Sequence, residues 1–227
     1  MSWADWIRGV EVEPSLYAAD FSRLGEQVEA LLSGGCRVFH YDVGDGHFIP
    51  PITTGPIVLE WIAPLVHEAG GVLDCHLMVE QPARHLEQFR EAGADSVTVH
   101  VEVSPELPEL VGLAREQGLQ VGLALNPETE VEPAAQAARD AGVDVVLCMS
   151  VRPGYSGQAF IPEAVGRIRR LRELLPDGVA IQVDGGVGPD NIRELRDAGA
   201  RLFVAATAIF GGEDPPGAYR RLVDTLA

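Results

Sequence analysis

The chain has 227 residues, 46% of them hydrophobic and 22% charged, which suits a single domain with a sizeable core. A net charge of −17 excludes nucleic acid and anionic membrane as partners, and no apolar run approaches the roughly 20 residues of a membrane span. All 17 basic residues are arginine, so Schiff-base chemistry, which needs a deprotonatable amine, is excluded too.

The first residues, Met1 to Gly9, carry acid and tryptophan rather than a basic segment followed by an apolar one. No export signal is expected there, and the expected location is the cytoplasm. Cys36, Cys75 and Cys148 are odd in number, scattered, and beside apolar runs. They read as buried thiols of a reducing compartment, not as a disulfide frame.

Strand-like segments follow in order at Val10–Leu16, Arg37–Val43, Gly71–Val79, Ser96–Val101, Leu119–Leu125, Asp144–Ser150, Val179–Val183 and Leu202–Ala206. Most are near-continuous apolar runs, as in parallel strands buried on both faces. Between them lie helix-like segments, each followed by a glycine: Gly35, Gly70, Gly93, Gly118, Gly142, Gly178 and Gly199. Glycine past a helix end is the left-handed stop, preferred because it lacks a Cβ. With a last segment, Pro216–Leu226, the count is eight helices. Eight units in 227 residues is about 28 each, near the length of a strand–helix–strand unit. The expected fold is therefore α/β: a (β/α)8 TIM barrel of eight parallel strands, one domain over 1–227. A doubly wound open sheet is the alternative, without a glycine-rich dinucleotide fingerprint to favour it.

Two segments after strands are long, Gly44–Gly55 and Arg152–Pro162, and in this fold such loops build the active site. Strand 2 brings His40 and Asp42 to the same face by its period of 2, strand 3 offers His76, and strand 7 ends at Asp184. One such pair alone reads equally well as a satisfied ion pair. Two imidazoles and two carboxylates at one end of a barrel make a ligand set suited to Zn²⁺ or a similar divalent ion. Asp74, two residues before His76, is the rival ligand on strand 3. The turns Arg152–Gln158 and Asp184–Gly188 are glycine-rich, and their backbone N–H groups can cradle a phosphate. Together with Arg152 and the metal they would attract an anion that the global charge repels. Asp45 and His47 are expected to brace the loop after strand 2, with His47 in possible reach of substrate. His100 is expected to line the barrel, His67 and His85 to lie on surface helices, and Arg167–Arg172 to form a solvated face.

Several stretches carry a resemblance: Pro14-Ser15-Leu16, the run His40 to Pro50, Asp74 to Met78, Met149 to Gln158, and Val183 to Pro189. In this order, across nearly the whole chain, they resemble the ribulose-phosphate 3-epimerase family. The resemblance implies epimerisation at C3 of D-ribulose 5-phosphate to D-xylulose 5-phosphate through an ene-diolate. It implies one divalent metal ion per subunit on His40, Asp42, His76 and Asp184, with Zn²⁺ first and Fe²⁺, Mn²⁺ or Co²⁺ as alternatives. Asp42 and Asp184 would also be the catalytic acid/base pair. Ser15 and His76 would contact substrate, and Met78 and Met149 would line the reaction centre. Gly154, Tyr155, Ser156, Gly157, Gly185, Gly186, Ala206 and Thr207 would surround it at the phosphate end. The implied partner is a small phosphorylated ketose, and the implied assembly is a homo-oligomer, dimer or hexamer.

Three positions depart from the family pattern. Gly44 stands where a methionine is usual, removing one apolar lid; Ser156 replaces a glycine; and Ala206-Thr207 replaces Gly-Ser. They leave open a related substrate such as D-allulose 6-phosphate. Phosphate-binding-barrel decarboxylases carry a lysine where this chain has Gly44, and are excluded with the Schiff-base aldolases. A metal-dependent aldolase and a non-catalytic sugar-phosphate-binding barrel are the remaining alternatives.

Overall fold

A computed structural model describes residues 3–7 and 9–226 of the chain. The apolar runs form eight strands: β1 (Glu11–Pro14), β2 (Val38–Gly44), β3 (Val72–Met78), β4 (Ser96–His100), β5 (Gln120–Leu125), β6 (Val145–Met149), β7 (Ala180–Asp184) and β8 (Leu202–Ala205). All neighbouring pairs are parallel, in the order β1-β8-β7-β6-β5-β4-β3-β2. The ring is completed where β1 meets β2 through a single bridge between Ser15 and His40. This is the (β/α)8 barrel expected from the alternation of strands and glycine-stopped helices.

Ten α-helices occur among the described residues: α1 (Trp3–Trp6), α2 (Leu24–Ser33), α3 (Pro56–Glu68), α4 (Leu86–Glu91), α5 (Leu107–Glu116), α6 (Val131–Ala141), α7 (Glu163–Leu174), α8 (Ile192–Ala198), α9 (Thr207–Phe210) and α10 (Pro215–Leu226). None is long and apolar enough to cross a membrane. Eight are the expected outer helices; α1 and the short α9 are additions. Gly142 and Gly199 end α6 and α8 in the left-handed conformation, at φ 66° and 116°. Gly178 does not act this way, which corrects the expectation. Helix α7 stops earlier, at an extended Leu175 (φ −93°, ψ 148°), because Pro176 disfavours the helical region for the residue before it. The Arg172 guanidinium then donates to the carbonyls of Leu175, Pro176 and Val179 at 2.9, 2.6 and 3.0 Å, so this part of the arginine cluster clamps a turn rather than facing solvent.

Strand periodicity sorts the side chains into two sets. Phe39, Tyr41, Leu73, Cys75, Val97, Val99, Leu123, Cys148, Val183 and Phe203 face outward into the layer beneath the helices. All three cysteines are free and buried. Inward, the bottom layer is Val38, Val72, Val145, Ala180 and Leu202, and it packs on Trp3 and Trp6 of α1. The two indole rings meet edge-on, 4.8 Å apart, and close the barrel floor. A buried tryptophan removes about 150–250 Å² from water, worth several kcal/mol at about 25 cal/mol per Å². Above this apolar floor the inward positions turn polar: Glu13, His40, Asp74, Ser96, Thr98 and Gln182 are all buried. Such groups are tolerated only when paired, and their pairing shapes the site.

Candidate active site

Asp42 stands opposite His76 in the β2–β3 register, and Met149 opposite Asp184 in the β6–β7 register. These positions lie at the C-terminal ends of their strands, where the cleft opens. Its volume is about 560 Å³, mouth included, and Ser15, Asp42, Met78, Met149 and Asp184 line it. The two glycine-rich turns contribute Gly154, Tyr155, Ser156, Gly157, Gly185 and Gly186, and Ala206 and Thr207 complete that side. His40 and His76 lie just beneath, fully buried.

The hydrogen bonds around His40 define what its free nitrogen faces. Its Nδ1 lies 3.0 Å from Asp74 Oδ2. Asp74 is held below the usual carboxylate range because, although burial opposes ionisation, hydrogen bonds from His40, Gln182 and Ser96 favour the anion. An ionised carboxylate only accepts, so Nδ1 carries the hydrogen. Nε2 then faces Asp42 Oδ1 at 3.3 Å and has no hydrogen-bond partner. With no ion bound, a proton on Nε2 fills the place between the nitrogen and the carboxylate; its loss leaves a lone pair that a cation can take. Burial opposes protonation of His40, yet Asp42 and Asp74 raise its pKa well above the ordinary imidazole value.

His76 Nδ1 lies 3.1 Å from the same Asp42 oxygen, and the other Asp42 oxygen accepts from Ser15 Oγ at 2.6 Å. Burial would raise the Asp42 pKa, but the charge and hydrogen bonds of His40, then of His76, hold it well below its ordinary value. Asp184 moves the other way: burial, then the Asp42 charge, push it up to about 7. One ligand atom from each of His40, Asp42, His76 and Asp184 falls within 4.8 Å of all the others. Two nitrogen and two oxygen donors, with an orphaned imidazole nitrogen among them, fit a divalent cation.

Asp74, the rival on β3, does not belong to that group of four. It lies a layer lower and braces His40, while Ser96 Oγ and Gln182 Nε2 donate to it at 2.6 and 2.8 Å. Glu13, His40 and Asp74 also cluster; Gln182 Nε2 donates to one oxygen of each carboxylate, while Glu13 Oε1 has no partner, and burial raises the Glu13 pKa well above its ordinary value. Gln182 and Glu13 are inward positions that sequence reasoning passed over. Both sit two residues before a site residue, Asp184 and Ser15, so strand periodicity could have found them.

The loops over the cleft lock into each other. A Cβ on Gly185 (φ 116°) would come within 2.4 Å of Val151, and one on Gly186 (φ 63°) within 2.8 Å of the Phe160 backbone N. Only glycine suits both the conformation and the space. Gly154 sits against Ile49, Pro50 and Pro51, so the two long loops touch at the mouth. Tyr17, also in the cleft lining, donates its hydroxyl to the Gly154 carbonyl at 3.3 Å. Sequence reasoning missed Tyr17 because Leu16–Ala18 leaves the strand as a 3₁₀ turn.

Gly44 does not leave a gap. A Cβ there would meet Ile49 Cδ1 at 2.5 Å, and Ile49 is buried, so its side chain occupies the space. Arg152 is absent from the lining, against expectation; it pairs with Glu128 on the surface. Asp45 braces its loop as expected, accepting from the backbone N–H groups of His47, Phe48 and Glu80, each at 2.8 Å. His47 itself is exposed and outside the lining. His67, on α3, pairs with Asp95 at 3.0 Å. His100 does line the barrel, but it also reaches His76.

A family model described as "Ribulose-phosphate 3 epimerase family" matches residues 11–210. The chain is 40% identical over 226 residues to "Ribulose-phosphate 3-epimerase 2" of Cupriavidus necator, covering 96% of this chain and 92% of that protein. It is 38% identical over 209 residues to "Ribulose-phosphate 3-epimerase" of Bacillus subtilis, covering 90% and 94%. Among solved structures, 3-hexulose-6-phosphate synthase from Salmonella typhimurium superposes with a TM-score of 0.74 at 16% identity, covering 95% of this chain and 98% of that one. That likeness is one of fold.

Proposed function

The chain belongs to the ribulose-phosphate 3-epimerase family, and from that premise we propose that it inverts C3 of D-ribulose 5-phosphate to give D-xylulose 5-phosphate, using Asp42 and Asp184 as base and acid beside a bound divalent cation. The observation that carries this reading is the pair of carboxyls itself. They come from β2 and β7, three places apart round the ring, and both line one cleft. With no cation bound, their protonation is split: the histidines keep Asp42 ionised, while burial and the Asp42 charge push Asp184 up to about 7. Inversion needs a group that takes the proton from one face and a group that gives one to the other, and two carboxyls poised apart in pKa supply both.

His40, Asp42, His76 and Asp184 would hold the cation, with Zn²⁺ the first choice for this donor set. Bound there, it would supply Lewis-acid stabilisation of the negative charge that develops on the substrate as C3 loses its proton. Asp42 removes that proton to leave an ene-diolate, and Asp184 returns one to the opposite face; in the reverse direction the roles exchange. Ser15, donating to Asp42 Oδ2, orients that carboxylate so that Oδ1 faces the two histidines. Met78 and Met149 form the apolar wall of the cleft, which keeps water from competing for the proton. At the far side, the N–H groups of Gly185, Gly186 and the Ala206–Thr207 turn receive the phosphate.

Incubation with D-ribulose 5-phosphate and with D-allulose 6-phosphate in D2O tests the assignment. Deuterium enters at C3 of the true substrate and the product is its C3 epimer. Exchange with the six-carbon sugar alone would move the assignment to that substrate, and exchange with neither would remove the proposed chemistry.

A further inference from the structure

Behind His76 runs a chain of polar contacts that never reaches the cleft. His76 Nε2 lies 2.8 Å from His100 Nε2, and His100 Nδ1 lies 3.0 Å from Glu102 Oε2. The two rings lie edge to edge, within 23° of parallel and with centroids 5.0 Å apart, and the Phe48 ring lies 4.6 Å from that of His100. Glu102 is anchored in turn: its other oxygen accepts from the backbone N–H of Asn126 at 2.8 Å and from the Thr129 hydroxyl. Neither His100 nor Glu102 lines the cleft.

We propose that Glu102 and His100 are positioning residues that set the tautomer of His76, so that its Nδ1 is left as a lone pair aimed at the cation site; this rests on the metal-binding reading above. The hydrogen-bond roles run in one direction. A carboxylate already accepting two hydrogen bonds is an acceptor for the third, so His100 Nδ1 carries its hydrogen. A neutral His100 then has a bare Nε2, which can only accept. The hydrogen between the two rings must belong to His76 Nε2, which leaves His76 Nδ1 unprotonated, 3.1 Å from Asp42 Oδ1. A metal-bound histidine commonly donates its other nitrogen to a carboxylate, which orients the ring and raises its basicity. Here a second imidazole is interposed between ligand and carboxylate. In the β3–β4 register His100 follows the Val99 that pairs with Leu77, so it points into the barrel on the same side as His76 and its ring reaches His76 Nε2. His40, by contrast, has its carboxylate, Asp74, in direct contact.

Cobalt(II) titration of the metal-free protein, followed by the visible absorption of the bound ion and by competition with a chromophoric chelator, tests the relay. Wild type, Glu102→Gln, His100→Phe and His100→Gln are compared. Glu102→Gln, whose amide oxygen stays with Asn126 and Thr129 and so turns its NH2 towards His100 Nδ1, and His100→Phe weaken Co²⁺ binding about 10–100-fold, the usual effect of losing such a partner. His100→Gln, whose amide oxygen can accept from His76, retains most of the affinity. Joining Glu102→Gln to His100→Phe adds little, because links in series are not additive. A merely structural role would lower the affinity of both His100 variants alike, in step with their melting temperatures. Wild-type affinity in Glu102→Gln overturns the proposal, and that variant carries the test alone if His100→Phe does not fold. Failure of the wild type to bind Co²⁺ overturns the metal reading and the relay with it, and the two failures are thereby distinguished.

Discussion

His40 Nε2 and Asp42 Oδ1 face each other at 3.3 Å from alternate positions of one strand, with the nitrogen otherwise unpartnered. The arrangement is one that a cation completes. Treatment with a chelator abolishes epimerase activity and a divalent metal restores it, read by steady-state turnover before and after reconstitution. The same reconstitution raises the melting temperature, since a ligand at 100 times its Kd stabilises the folded state by about 2.7 kcal/mol. Full turnover in protein verified free of metal is the contrary result.

Asp42→Asn and Asp184→Asn each lower kcat by about 10²–10⁴ or more, the usual share of a general acid or base. The far-ultraviolet circular dichroism of both variants stays that of the wild type. Deuterium uptake at C3 distinguishes the two roles. The variant lacking the base for the direction tested loses exchange altogether, whereas the variant lacking the acid retains some.

Gly44 and Ile49 compete for one volume. Gly44→Met forces Ile49 and the Pro51 carbonyl, each within 2.9 Å of a Cβ there, to move. Overpacking of this kind costs about 1–3 kcal/mol, measured by urea unfolding. Adding Ile49→Ala to Gly44→Met recovers most of that loss. If the double variant is as unstable as the sum of the two single ones, the two side chains do not share the space.

Burial lowers the pKa of His100 to about 4, against the opposing pull of Glu102. The folded value lies below the unfolded one, so the unfolded chain takes up the proton first as pH falls. Stability is therefore complete above about pH 6.5, declines towards about pH 4 and levels off below it, by something on the order of 3 kcal/mol. Urea unfolding of metal-free wild type and of His100→Gln across this range isolates the contribution: the difference between them shrinks as pH falls. A difference independent of pH counts against it.

Tyr17 holds the loop after β6 through the Gly154 carbonyl. Tyr17→Phe deletes a bond worth about 0.5–1.5 kcal/mol, which corresponds to a several-fold rise in KM with a smaller change in kcat. Equal falls in kcat and kcat/KM would instead place Tyr17 at the reacting atoms.

The barrel is legible because most strands are near-continuous apolar runs and most of the helices between them end on a glycine. The strand period of 2 puts His40 and Asp42 on one face, and His76 and Asp184, on other strands, join them within 4.8 Å. What escaped depended on contacts distant in sequence. Trp3–Trp6 is a single helical turn with no periodicity to read, and its role is defined only by the inward valines that it covers. The occupied space beside Gly44 was invisible because the occupant, Ile49, arrives from a loop whose path follows no repeat. Arg152 was expected at the anion site on charge alone, but Glu128, 24 residues before it, claims the guanidinium. His100 was read as a barrel residue, correctly, yet its partner at His76 follows from strand register and ring orientation, which composition does not encode.

The meeting of β1 and β2 through one bridge gives the molecule a weak hoop joint, and the residues at that joint are Ser15 and His40, with Asp42 one pleat further on. The hydroxyl of the first strand gripping the carboxylate of the second is at once part of the chemistry and a clasp on the circumference. An ion held by His40, Asp42, His76 and Asp184 would tie β2 and β3 to β7 across this joint. An emptied centre should gape first along this seam, with its backbone amides the earliest on the ring to trade hydrogen for deuterium.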